Sequence, residues 1–231
     1  MEHKKGANVV INVVVVAAHP DDEVLGCGGT ILKHVANGDS VHLVFMADGV
    51  GSRNGSFDAE FAERKKFMEK ASQLLGVKST TCLGFPDNRM DSMTLLDVVQ
   101  PLEKVINTIR PEIVYTHHVG DLNIDHQITH KAVMTACRPF PGSTIKEIYS
   151  FEVLSSTEWQ TPDQNPFTPN VFNDVTDFVE QKHSALCAYE HEMRPAPHSR
   201  SFENVANLMK LRGNSLGANY AEAFMLIRKV S

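Results

Sequence analysis

The sequence predicts an α/β fold, a largely parallel β-sheet flanked by helices on both faces. Three observations predict it. Short, apolar, β-branched runs alternate with helical stretches along the chain. The first run, Val9–Ala18, is continuously apolar apart from Asn12, as in a strand covered on both sides. The polar, chemistry-bearing residues fall in loops that follow strands, which is where open parallel sheets collect their ligands.

Each element follows from local pattern. After the first strand, Glu23–Asn37 reads as a helix and Val41–Met46 as a second strand. Gly49–Phe57 holds three glycines and reads as a loop. Asp58–Leu75 is helical, with an apolar stripe of Phe61, Phe67, Ala71, Leu74 and Leu75, and Gly76 is placed to end it. A short strand near Thr80–Leu83 precedes a turn at Phe85-Pro-Asp-Asn88. The helix Leu95–Ile109 stops before Pro111. Glu112–Thr116 is a strand, His117–Asp125 a polar loop, and His126–Cys137 a helix. Ile145–Val153 is a further strand. The Pro- and Asn-rich stretch Thr161–Asn170 is a long loop, a candidate lid or subunit contact. Helices over Asp177–Tyr189 and Glu203–Arg212 lead to a last strand, Ala223–Arg228. No repeat, low-complexity tract or linker interrupts the chain, so residues 1–231 are expected to form one domain.

Composition narrows the function. The 231 residues carry 28 acidic and 22 basic side chains, a net charge of −6, which argues against nucleic acid as the partner. No apolar run approaches the roughly 20 residues of a membrane helix, so no membrane insertion is expected. Lys4 and Lys5 precede an apolar stretch as in a signal peptide, but Asn12 interrupts it and no cleavage site follows, so it reads as a strand. Four dispersed cysteines without a CxxC read as reduced thiols of a cytoplasmic protein.

The chemistry begins at Ala18-His19-Pro20-Asp21-Asp22-Glu23. Three carboxylates and a histidine directly after a buried strand are costly to hold together without a cation or water. If Pro20 opens the helix, His19 and Asp22 face one point, while Asp21 is rotated by roughly 100°. His19 and Asp22 then suit a divalent ion, zinc by their nitrogen and oxygen donors, with Asp21 as the base beside it. Acids that merely favour a helix dipole would explain Asp22 and Glu23, but not the preceding His-Pro. The loop after Thr116 can supply the third ligand. His126, with Asp125 available to orient a histidine, is the leading candidate, and His130 one turn on is the alternative. His117 and His118 abut a strand end, and at least one of them is expected to point into packing. The Gly26-Cys-Gly28-Gly29 run is a poor dinucleotide fingerprint, because Ile31 occupies the third glycine position; close helix–sheet packing is its expected role.

Ala18-His-Pro-Asp-Asp-Glu23 resembles the AHPDDE signature of the PIG-L/LmbE-like deacetylase family. The resemblance continues through Asp48-Gly-Val-Gly-Ser-Arg53, Gly84-Phe-Pro-Asp-Asn88 and Asp121-Leu-Asn-Ile-Asp-His126. It ends with His198-Ser-Arg200-Ser201, Arg212-Gly213 and Ala221-Glu-Ala-Phe224. It implies a Rossmann-like, zinc-dependent N-deacetylase, a hydrolase of C–N bonds other than peptide bonds. The metal would be zinc, with another divalent ion such as Fe2+ as the alternative. The ligands it implies are His19, Asp22 and His126, with Asp21 as general base; zinc-bound water would attack the acetyl group of an N-acetylglucosamine-type conjugate, glycolipid or nucleotide sugar. Homo-oligomers occur among such proteins.

The chain departs from the common family pattern at Asn123, where many members have a histidine. Asparagine can donate a hydrogen bond to an oxyanion but cannot act as an acid, so His198, or Asp21 once protonated, is the candidate proton donor. Arg53, Asp87 and Arg200 are the candidate substrate-binding residues, the arginines through forked contacts to a phosphate or carboxylate. The alternative functions are an amidase acting on a thiol-sugar conjugate or antibiotic precursor, and a non-catalytic sugar- or nucleotide-binding protein.

Overall fold

The computed structural model describes residues 10–47 and 57–231, with side chains in the first helical turn after the break described from residue 62. Arg53 lies outside the described residues. The elements are β1 (Asn12–Ala17), α1 (Asp22–Ala36), β2 (Ser40–Ala47), α2 (Phe57–Leu75), β3 (Ser79–Phe85), α3 (Leu95–Ile109), β4 (Ile113–His117), α4 (Ile124–Ala136), β5 (Glu147–Phe151), β6 (Val171–Asp174), α5 (Val179–Cys187), α6 (Phe202–Asn214) and β7 (Ala221–Lys229).

The described strands form one seven-stranded sheet in the order β3-β2-β1-β4-β5-β7-β6. The first five run parallel, β2 and β4 flanking β1. β7 is antiparallel to both β5 and β6. Strand β1 explains the continuous apolar run that marks it. Val13, Val15 and Ala17 pack into one core with α1, α2, α5 and α6, and Val14 and Val16 into a second core with α3 and α4. All five are at most 1% exposed. Burial of each such valine is worth about 1.5–3 kcal/mol, and only a strand sandwiched between two helical layers gains it on both faces.

Two features differ from the pattern-based expectation. Strand β6 falls just after the expected 161–170 loop; four residues, two of them Asn173 and Asp174, carry too weak a strand signal to stand out. Helix α1 opens at Asp22 and not at Pro20, so His19 and Pro20 belong to a turn.

Helix α1 is also broken in its middle. Cys27 leaves the helical region, with φ −148° and ψ 23°. The freed N–H groups of Gly29 and Thr30 donate to the two carboxylate oxygens of Glu222 at 2.8 and 2.7 Å. Lys182 donates to the Leu25 carbonyl at 3.0 Å and to Glu222 at 2.7 Å. A carboxylate at the N-terminus of one half-helix and an ammonium at the C-terminus of the other match both dipoles. The glycines serve packing here: a Cβ on Gly26 would run into the Phe151 ring, and one on Gly29 would lie 2.8 Å from Val175. Among the described residues no helix is long and apolar enough to cross a membrane.

Candidate metal and catalytic site

Strand order reverses between β1 and β4, and helices α1 and α4 that follow them pack on opposite faces of the sheet. The crevice at such a switch point is where doubly wound sheets bind ligands. A cavity of about 200 Å³ lies there, bordered by His19, Asp21 and Asp22 from the β1–α1 turn and by Asn123 and His126 at the start of α4.

The β1–α1 turn is held by its own carboxylates. The His19 N–H donates to Asp22 Oδ2 at 2.9 Å, and the Asp21 N–H to Glu23 Oε2 at 2.9 Å. Asp21 sits at φ 119°, a conformation that costs a non-glycine residue about 1–3 kcal/mol and persists only where surroundings enforce it. The turn places His19 and Asp22 together, as the helical spacing suggested, but through this bend instead of a shared helix face.

His19 Nδ1 lies 3.3 Å from Asp22 Oδ2, and His126 Nε2 lies 3.2 Å from the same oxygen. The far side of each ring also meets a carboxylate: His19 Nε2 is 3.1 Å from Asp125 Oδ2, and His126 Nδ1 is 3.1 Å from Asp121 Oδ1. All of these groups are at most 8% exposed. Burial disfavours a charged imidazole, but Asp125 and Asp22 overcome it and raise the His19 pKa to about 10. Asp22 and Asp121 likewise override burial and raise His126 to about 9. Asp22 itself is held well below the usual carboxylate range by His126, with the hydrogen bond to His19 adding to it, against its burial.

This donor set fits a divalent cation. Without one, both rings must be doubly protonated to satisfy carboxylates on both sides. With a cation among the inner atoms of His19, Asp22 and His126, which lie within 4.8 Å of one another, each ring is neutral and donates its outer N–H to Asp125 or Asp121. His117, stacked 3.8 Å from His126, also approaches Asp22, but its Nε2 accepts the Ala18 N–H at 2.8 Å. Burial lowers its pKa well below the usual value, so it is neutral. His130 binds the His117 carbonyl at 2.8 Å and belongs to none of the metal-competent groupings among the described residues.

Asp21 borders the cavity beside this cluster. Its Oδ2 accepts from Arg200 Nη1 at 2.9 Å, and Arg64 Nη2 lies 3.9 Å away. Burial raises its pKa, opposed by Arg200. Arg64 also donates to the Pro20 carbonyl at 2.7 Å and pairs with Glu192. Asp87, 3% exposed, lies 3.3 Å from His19 Nε2 and lines the cavity. Asn123 caps α4, its Oδ1 accepting the Asp125 N–H at 2.8 Å and its Nδ2 donating to Asn88 Oδ1 at 3.1 Å. His198 does not line the cavity. Its Nδ1 accepts the Arg200 N–H at 2.9 Å.

Sequence reasoning missed Arg64, Glu192, Ser155 and Ser156, all of which line the cavity. Arg64 did leave a signal, as a charged residue midway between Phe61 and Phe67 in the apolar stripe of α2. The other three have no local pattern to betray them.

The sequence matches the PIG-L family, described as GlcNAc-PI de-N-acetylase, over residues 14–137. It is 36% identical over 238 residues to a diacetylchitobiose deacetylase of Thermococcus kodakarensis, covering 95% of this chain and 84% of that protein. The chain belongs to the PIG-L family. It is also 32% identical over 176 residues to the uncharacterized deacetylase YaiS of Escherichia coli, covering 74% of this chain and 85% of that one. The fold of the N,N'-diacetylchitobiose deacetylase from Pyrococcus horikoshii superposes with a TM-score of 0.77 at 23% identity, over 94% of this chain and 84% of that one. PIG-L membership fits the switch-point crevice, the Rossmann-like strand order and the metal-competent cluster of His19, Asp22 and His126.

Proposed function

We propose that this PIG-L protein is a zinc-dependent N-deacetylase of an N-acetylated amino sugar, working as one domain in the cytoplasm. The observation that carries the reading is the His19–Asp22–His126 cluster with Asp21 beside it on one polar cavity. Those three residues would hold the ion, which when bound supplies Lewis acidity and a water of lowered pKa. Asp21 takes the proton of the attacking water, with Arg200 and Arg64 fixing its carboxylate. Asn123 has a second amide hydrogen beyond the one given to Asn88, and it donates that hydrogen to the carbonyl oxygen as negative charge gathers there. The water oxygen bonds to the acetyl carbon, the C–N bond breaks, and Asp21 returns its proton to the leaving amine. His198, bound to the Arg200 backbone outside the cavity, gives way to Asp21 as the acid in this reading. Asp87 faces the cavity as a partner for sugar hydroxyls. Arg200 acts on Asp21 instead of on a substrate anion.

The test is acetate release from N-acetylglucosamine, an N-acetylglucosamine glycoside and a nucleotide-linked form, with chelator and then with added zinc. Release that the chelator stops and zinc restores is the expected result. His126→Ala should lose both metal and activity; a fully active His126→Ala enzyme would remove the core of the reading. Tight sugar binding with no acetate released at saturating zinc would replace hydrolysis by binding.

A further inference from the structure

The chain has one tryptophan, Trp159, and it is 52% exposed. It ends the 3-10 turn Thr157–Trp159, which begins directly after the cavity-lining residues Ser155 and Ser156. That turn is firmly anchored. Thr157 Oγ1 donates to Asp121 Oδ2 at 2.6 Å, the Trp159 N–H donates to the Ser156 carbonyl at 3.2 Å, and Gln160 Nε2 donates to the Asp121 carbonyl at 3.1 Å. Asp121 is the carboxylate behind His126, so the turn that carries the indole is tied to the wall of the candidate metal site. From the other side, the His198 ring packs edge-on against Trp159 at 5.7 Å, while its Nδ1 accepts the N–H of cavity-lining Arg200. The cavity, at about 200 Å³, is smaller than the roughly 300–1,000 Å³ that encloses a drug-sized ligand, so a conjugate must extend past its mouth.

A half-exposed aromatic ring on an anchored turn, three residues beyond cavity-lining Ser156, suits the apolar C–H face of a sugar. The charge pattern disfavours a phosphate there. Among the described residues lining the cavity, both arginines are committed to carboxylates, Arg200 to Asp21 and Arg64 to Glu192, and the neighbour of Trp159 is Glu158. We propose that Trp159, backed by His198, is a stacking platform for an uncharged sugar ring joined to the N-acetylated unit, which makes a disaccharide or longer glycan the substrate class. This rests on the deacetylase reading above and assigns His198 a supporting role.

The first arm compares kcat/KM on N,N'-diacetylchitobiose and on N-acetylglucosamine for the zinc-loaded wild type, Trp159→Ala and Trp159→Phe. The wild type should prefer the disaccharide. In Trp159→Ala that preference should fall about tenfold, mainly through KM, while Trp159→Phe retains most of it. The second arm needs no turnover. Because Trp159 is the only tryptophan, intrinsic fluorescence of the holoenzyme reports on it directly. Titration with the mono-deacetylated disaccharide, in which an uncharged N-acetylglucosamine ring stays joined to the freed amino sugar, should shift or quench the emission, and glucosamine should not. A signal only with a nucleotide-linked amino sugar, no signal with any probe, or equal losses on both substrates in Trp159→Ala would each overturn the platform. A signal from the mono-deacetylated disaccharide in a protein that releases no acetate from any substrate would uphold the platform and sink the deacetylase reading.

Discussion

Asp21 combines burial, backbone strain and two arginine partners in one residue. It is 3% exposed, sits at φ 119°, and meets Arg200 and Arg64 across long stretches of sequence. Structures tolerate that combination where a group must be aimed. Asp21→Asn removes the proposed proton acceptor but none of the three candidate ligands. It should bind zinc like the wild type while kcat falls by about 10²–10⁴, measured by acetate release alongside metal analysis. Asp125 acts one step further out. It holds His19 Nε2 and also accepts the N–H groups of Asn88 and Met90, at 2.7 and 3.0 Å. Asp125→Ala should weaken zinc binding by about 10–100-fold in competition with a chromophoric chelator, and an unchanged affinity would separate Asp125 from the metal site. Both aspartates were visible in the sequence because they stand inside dense polar motifs. Arg64 was visible only as an interruption in an apolar stripe.

Helix α1 carries the site on its first turn and is broken at Cys27, so the alignment of its two halves depends on Glu222 and Lys182 from distant elements. Lys182 is 1% exposed. Glu222→Ala would leave its ammonium buried without a counter-charge and free two N–H groups of α1. A loss of about 3–5 kcal/mol is expected in urea unfolding. The double replacement of Glu222→Gln with Lys182→Met removes both charges together and should recover part of that loss. If Glu222→Ala and the double variant both proved as stable as the wild type, the pair would not lock the helix. The Gly26-Cys-Gly28-Gly29 run hinted at close packing, and Phe151 and Val175 supply the surfaces. The break at Cys27 had no signature, because the sequence around it is compatible with an unbroken helix once Glu222 is ignored.

At the scale of the whole molecule, the site exists because β1 and β4 lie side by side with their following helices on opposite faces. His19 and Asp125 meet although 106 residues separate them. An ion that binds only where these loops converge stabilises the folded state, by about 2.7 kcal/mol at a concentration 100 times its dissociation constant. Chelation should therefore lower the Tm as well as stop acetate release, and added zinc should restore both. Identical thermal unfolding with and without metal would place the ion elsewhere.

The sequence by itself determined the alternation of strands and helices, the double coverage of β1 and the placing of His19 and Asp22 in one polar motif at a strand end. These are short-range properties: side-chain periodicity along one element, or several polar groups within a few residues of a strand end. Tertiary structure decided the antiparallel direction of β7, the pairing of β6 at the sheet edge, the opening of α1 at Asp22, the arrival of Arg64, Arg200 and Glu192 around Asp21, and that of Ser156 beside Asp121. Strand direction leaves no trace in side-chain period, since either direction buries the same alternate residues. Ion pairs such as Asp21 with Arg200, separated by 179 positions, form only after the sheet has brought its loops to one rim.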